Sequence, residues 1–172
     1  MGTFALEIFN NEGNACTFYT VRWENAELSE TDKFFVKFRN DVIHKNSLQE
    51  LAKFLDIQIG EKKGALKEYF RFENAAYALP PAGAYLIEEI SISYSHFPLR
   101  LYCLRISDSL VILFNGAEKT SNTAQSGKTS MVFEEANQFA KKILAAIYQK
   151  DIFIDANQRI FTDYNGNEEI YL

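Results

Sequence analysis

Residues 99–120 read LRLYCLRISDSLVILFNGAEKT, two apolar runs joined by Ser-Asp-Ser. Residues 99–106 and 110–115 have strand character, and the short polar joint between them reads as a hairpin turn. Alternation places Arg100, Tyr102, Leu104 and Ile106 on one face. Leu99, Leu101, Cys103 and Arg105 then lie on the other. A two-residue turn at Ser107-Asp108 would set Ile106 opposite Ser109, Leu104 opposite Val111, Tyr102 opposite Leu113 and Arg100 opposite Asn115. That register gathers Arg100, Tyr102 and Asn115 into one patch, with Glu118 and Lys119 emerging beside it. Arginine offers planar paired donors for phosphate, lysine a point charge, and tyrosine a stacking face with a hydroxyl. This is the chemistry that holds RNA. The same residues fit a structural role, with Arg100 paired to an acid of a neighbouring strand and Tyr102 at the core edge.

Outward from this hairpin, the elements follow from period and punctuation. FALEIF (4–9) and ACTFYTVRW (15–23) are aromatic and β-branched and flank NNEGN, so they read as an N-terminal hairpin. Ser29 with Asp32 three residues later resembles a capping box. Phe34, Phe35, Phe38, Asp41 and Val42 then recur at helical spacing. A second helix starts near Ser47, with Leu48, Leu51, Ala52 and Leu55 as its stripe. The two form a helical hairpin. EYFRFE (68–73) reads as a strand, ended by ALPPAG (78–83), and 85–94 becomes a strand from Glu89. Residues 120–130 are small and polar, a loop. Phe133, Ala136, Ala140, Ile143, Leu144 and Ile147 then mark a helix. The tail, 149–172, reads as short strands with turns at DANQ and NGN. Segregated helices and strands predict an α+β fold with a mainly antiparallel sheet, in one domain over 1–172.

Composition narrows the function. The chain has 172 residues, 47% hydrophobic and 15% aromatic, enough for a packed core. Its net charge of −5 disfavours a general nucleic-acid binder, so any such role must come from a local patch. Cys16 and Cys103 provide neither a disulfide framework nor metal spacing and read as buried thiols. With only His44 and His96 besides, no zinc site is expected, and no cofactor. His44 reads as a helix-end cation meeting the dipole, His96 as a turn residue. Glu134 and Glu135 read as acids favoured by a helix start. SGKT (126–129) fails as a phosphate-binding loop, because Asn122 stands where that motif needs glycine and no strand directly precedes it. The start lacks a basic segment and no apolar run approaches a membrane span, so a cytoplasmic protein is expected.

The string 99–120 resembles the central hairpin of RelE/ParE/HigB-like toxins of type II toxin–antitoxin modules. YFRFENAAYALPP (69–81) is similar to the strand that precedes it there. The element order is similar over about residues 15–148, leaving an extra N-terminal hairpin and an accessory C-terminal hairpin at 149–172 as additions. The resemblance implies a RelE/ParE-like fold and a ribosome-associated, metal-independent mRNA endoribonuclease neutralised by an antitoxin; the ParE branch would instead inhibit gyrase. In the nuclease branch, basic residues on the sheet clamp the scissile phosphate while the substrate 2′-hydroxyl attacks. Arg100 matches the sheet arginine, Lys119 the basic position after the last core strand and Tyr102 its aromatic neighbour. Arg71 matches the upstream arginine, and Asn115 and Arg105 are further candidate RNA contacts. A non-catalytic protein-binding module of the same fold, its acidic surface suited to a basic partner, is the alternative.

Overall fold

The computed structural model describes residues 1–119 and 130–172. SGKT and nearly all of the polar run at 120–130 therefore lie outside the described residues. The protein is α+β. Strands β1 (Phe4–Asn10) and β2 (Thr17–Trp23) form the N-terminal hairpin. Helix α1 (Glu30–Arg39) follows, and α2 (Lys45–Lys53) runs into a π-helical segment, Phe54–Lys63. Then come β3 (Arg71–Phe72), β4 (Tyr77–Leu79), β5 (Ala84–Ile87), β6 (Ile90–Ser93), β7 (Leu99–Ser107) and β8 (Leu110–Glu118). Helix α3 (Ser130–Tyr148), β9 (Ile152–Asp155), β10 (Ile160–Asp163) and β11 (Ile170–Tyr171) complete the chain.

Seven strands form the main sheet in the order β11-β1-β2-β8-β7-β4-β3. The sheet is mixed: β2 and β8 pair in parallel, and its other neighbours are antiparallel. The N-terminal hairpin is thus no appendage, since β2 pairs with β8 at the sheet centre and β11 closes the edge beyond β1. At the C-terminal end, β9 and β10 pair separately.

Alternation along the central strands sorts the core into two layers. On one face Tyr102, Leu104, Ile112 and Phe114 meet Phe133, Phe139, Ala140 and Ile143 of α3. On the other, Leu99, Leu101, Cys103, Val111 and Leu113 meet Phe34, Phe38, Leu51 and Phe54. Phe139 completes the α3 stripe, whereas Leu144 is turned toward solvent.

The expected capping box is present. The Ser29 hydroxyl accepts from the Asp32 N–H at 3.0 Å and lies 2.8 Å from its carboxylate. Other expectations change. Helix α1 stops at Arg39, and Asp41 turns back to accept the N–H groups of Ile43 and His44. His44 precedes α2, the wrong end for a cation to meet a helix dipole. It lies with Nε2 3.4 Å from the Glu118 carboxylate instead. The strand expected over 68–73 shrinks to β3, because a 3-10 turn takes Lys67–Tyr69. The strand expected from Glu89 is half of a hairpin. Glu88 and Glu89 form its turn, with φ of 49° and 68°, the left-handed pair that a tight hairpin demands.

The central hairpin exists, but its register differs. Arg100 faces Ala117, Leu104 faces Ile112 and Arg105 faces Val111, with irregularities between Leu101 and Cys103 and between Arg105 and Ser107. The turn is Asp108-Ser109, one residue later than expected, because Ser107 pairs with Leu110. Each bulge adds a residue to one strand only, the one nearer the turn on β7 and the farther one on β8, so the farther bulge restores the register that the nearer one displaced. A side chain cannot fit at Gly116 in this arrangement. A Cβ there would stand 2.1 Å from the Arg100 carbonyl oxygen and 2.8 Å from the Phe34 ring.

Candidate functional site

The register decides which expected site residues meet. Arg71 pairs with Ala78, which pairs with Tyr102, so all three share the face that carries α3. Arg100, two residues before Tyr102, lies on that face as well. Arg100 is 5% exposed, and its Nη1 donates to the carbonyls of Phe97 (3.1 Å) and Leu99 (3.0 Å). Arg71 Nε donates to the Pro80 carbonyl at 2.9 Å, which fixes the guanidinium at the sheet margin. Lys119 follows β8, its backbone N–H held by the Pro98 carbonyl at 2.7 Å.

These three cations act on one another. Burial, then the positive charge of Arg71, lowers the Arg100 pKa to about 10, so the guanidinium stays charged at neutral pH. Burial also lowers the Lys119 pKa, followed by the charges of Arg100 and Arg71. Among the described residues, Glu73 is the acid whose charge favours the cationic form of both Arg100 and Lys119. Among the described residues, none of the three cations forms an ion pair with a carboxylate. Beneath them, Phe133 in the first turn of α3 packs on Tyr102 with ring centroids 5.5 Å apart. The arrangement suits an anion, which would relieve the mutual repulsion of the cations.

Tyr102 sits under this cluster rather than in it, being 1% exposed. Arg105 and Asn115 lie elsewhere. Arg105 Nε donates to the Ala65 carbonyl at 2.6 Å and its guanidinium pairs with Asp108. Five residue steps along β7 separate it from Arg100, roughly 17 Å. The bulge turns Asn115 away from Arg100, and its amide donates to the Glu30 carboxylate at 3.2 Å.

Asn115 thereby enters a second polar cluster that the sequence did not reveal. It lies where β2 and β8, parallel neighbours, send the chain to opposite faces of the sheet, β2 toward α1 and β8 toward α3. The strands part beyond Thr20 and Leu113. Thr31 fills the gap, its hydroxyl 2.7 Å from that of Thr20 and 3.1 Å from the Phe114 carbonyl oxygen. Glu30, 2% exposed, receives Lys33 Nζ at 2.5 Å as well as the Asn115 amide. Glu135 reaches it from α3. Burial, then the Glu30 charge, raises the Glu135 pKa, and a hydrogen bond to Glu30 adds to the rise. Glu135 reads in the sequence as an acid favoured by a helix start and Glu30 carries no sequence signal of its own, which hides their meeting.

Cys16 and Cys103 are buried free thiols, with burial pushing the Cys16 pKa up to about 12. Among the described residues, no group of three or more His, Cys, Asp or Glu side chains is placed to hold a metal ion. No helix among them is long and apolar enough to cross a membrane. No family model, curated protein or solved structure matches the chain.

Proposed function

We propose that the chain is the toxin-like component of a bacterial toxin–antitoxin module, a ribosome-associated endoribonuclease that cleaves mRNA in the cytoplasm. The supporting observation is the cluster of Arg71, Arg100 and Lys119 on one sheet face, with no ion-paired carboxylate among the described residues. In this reading Arg71 and Lys119 grip the non-bridging oxygens of the scissile phosphate and Arg100 reinforces the field from below. The substrate 2′-oxygen bonds to phosphorus and the 5′-oxygen leaves, giving a 2′,3′-cyclic phosphate and a 5′-hydroxyl end. The 2′-hydroxyl proton passes to Glu73 or to water, and water reprotonates the leaving oxygen. The cations stabilise the charge that builds on the phosphorane oxygens. Tyr102 holds Arg100 in place from the core. An antitoxin is the partner in this reading.

Induced expression is expected to arrest growth, and the purified protein to cleave single-stranded RNA. Arg71→Ala and Lys119→Ala should each lower the cleavage rate about a hundredfold and relieve the arrest. Arg100→Lys tests the buried cation without removing its charge. The burial of Arg100, and of Tyr102 against Phe133 of α3, favours a second reading, a protein-binding module of the same fold without catalysis. Harmless expression together with intact RNA decides for that module and against the nuclease.

A further inference from the structure

Strand β3 is the last of the sheet, and its two residues face opposite ways. Arg71 faces the cation cluster. Phe72 faces the other side and is 75% exposed. The Phe72 ring is not isolated. Tyr77 meets it edge-on with centroids 5.6 Å apart, and Phe70 meets Tyr77 at 6.2 Å. The stretch Phe70-Arg71-Phe72-Glu73 thus sets rings on one face of an open edge and charges on the other. An exposed phenylalanine at an edge gains little from burial and invites association, so its position beside a phosphate-type site has chemical meaning. Rings interleaved with cations are what unpaired nucleotides require. Each base offers a flat face to stack, and each phosphate a charge to neutralise.

We propose that Phe72, buttressed by Tyr77 and Phe70, is a stacking platform for an unpaired base of a single-stranded nucleic acid that crosses the β3 edge. The inference rests on the phosphate-holding reading of Arg71 and Lys119. A strand crossing that edge places a phosphate on Arg71 and an adjacent base on the Phe72 ring. A duplex cannot do this, because its bases are already stacked on one another.

The test is fluorescence anisotropy at low salt with four labelled probes: 2′-O-methyl RNA, which cannot be cleaved at the 2′-oxygen, DNA of the same sequence, an abasic backbone of the same length, and the duplex. Wild type should bind both single strands and the abasic backbone, and prefer the single strands to the duplex. Phe72→Ala should weaken binding to the single strands about 5- to 100-fold and leave the abasic backbone within about twofold. Phe72→Tyr should restore affinity, and the new fluorophore in Phe72→Trp should be quenched by single strands but not by the abasic probe. Arg71→Ala should weaken all the probes that bind. Phe72→Ala binding the single strands as wild type does, or losing the abasic probe equally, overturns the platform while Arg71→Ala still reports the phosphate site. An abasic backbone that does not bind, together with a silent Arg71→Ala, overturns the phosphate reading and the platform built on it. Phe72 is exposed, so an unchanged melting temperature in Phe72→Ala separates lost stacking from lost folding.

Discussion

Two polar clusters flank Gly116 on β8, and they are built on opposite principles. Around Glu30 the charges are answered from within: Lys33 and Asn115 meet its carboxylate, and Glu135 donates a hydrogen bond to it. Around Arg100 like charges accumulate, with Arg71 and Lys119 both acting on the same region, and Glu73 is the carboxylate that opposes them among the described residues. A self-satisfied buried network holds elements together, here α1, β8 and α3. Accumulated like charge does the reverse and costs folding free energy. The difference marks the cation cluster as the region whose like charges no ion-paired carboxylate answers among the described residues.

Gly116 is the seam between them, following Asn115 and preceding Ala117, which faces Arg100. Gly116→Ala should have the largest effect. The added methyl meets the Arg100 backbone carbonyl and the fully buried Phe34 ring, neither of which can move freely. A loss of about 3 kcal/mol in urea unfolding is expected. Both clusters should fail together, so a variant of normal stability would show that the two regions are less tightly joined than this geometry requires.

Next comes the contrast between the clusters themselves. Glu30→Ala leaves the Asn115 amide and Glu135 without their buried partner, and should cost about 2 kcal/mol. Arg71→Ala removes a half-exposed cation from a repulsive group and should change stability by less than about 0.5 kcal/mol. Chemical denaturation of the two variants reads the comparison directly. Equal losses, or a larger loss for Arg71→Ala, would erase the distinction.

The parts of this arrangement that can be read from the chain are those written in local pattern. The central hairpin, the two helical stripes and the Ser29–Asp32 cap all follow from spacing, and so does the nearness of Lys119 to Arg100; Arg71 comes only from the resemblance, since no local pattern sets its strand near β7. The register does not follow from spacing: the turn falls at Asp108-Ser109 rather than Ser107-Asp108, which sets Arg100 opposite Ala117, and nothing in the alternation of 99–120 announces the bulge between Leu113 and Gly116 that carries Asn115 toward Glu30. Nor does the parallel pairing of Thr17 with Leu110, which joins distant segments through tertiary packing alone. The Glu88–Glu89 turn lacks the glycine or asparagine that normally marks left-handed backbone. Glu30 and Glu135 meet only because α1 and α3 start at the same end of the sheet, on opposite faces.

The smallest expected effect concerns that last pair and its pH dependence. The Glu135 pKa is raised above the ordinary 4.5, by burial and then by the Glu30 carboxylate. Its surroundings are Glu30 and Lys33 from α1; Lys33 opposes the rise. The folded chain therefore holds the Glu135 proton more tightly than the unfolded chain does. The corresponding stability is fully present below the unfolded pKa and is lost as pH rises through the folded one. Glu135→Gln keeps a hydrogen-bond donor toward Glu30 and removes the titration. Melting temperatures from about pH 4 to about pH 7 should fall with rising pH more steeply in wild type than in Glu135→Gln, and the variant should be the more stable at the upper end. Parallel curves would mean that Glu135 gives up its proton as readily when folded as when unfolded. The cluster around Glu30 would then carry two charged carboxylates, and its contrast with the cation cluster would narrow to one of sign.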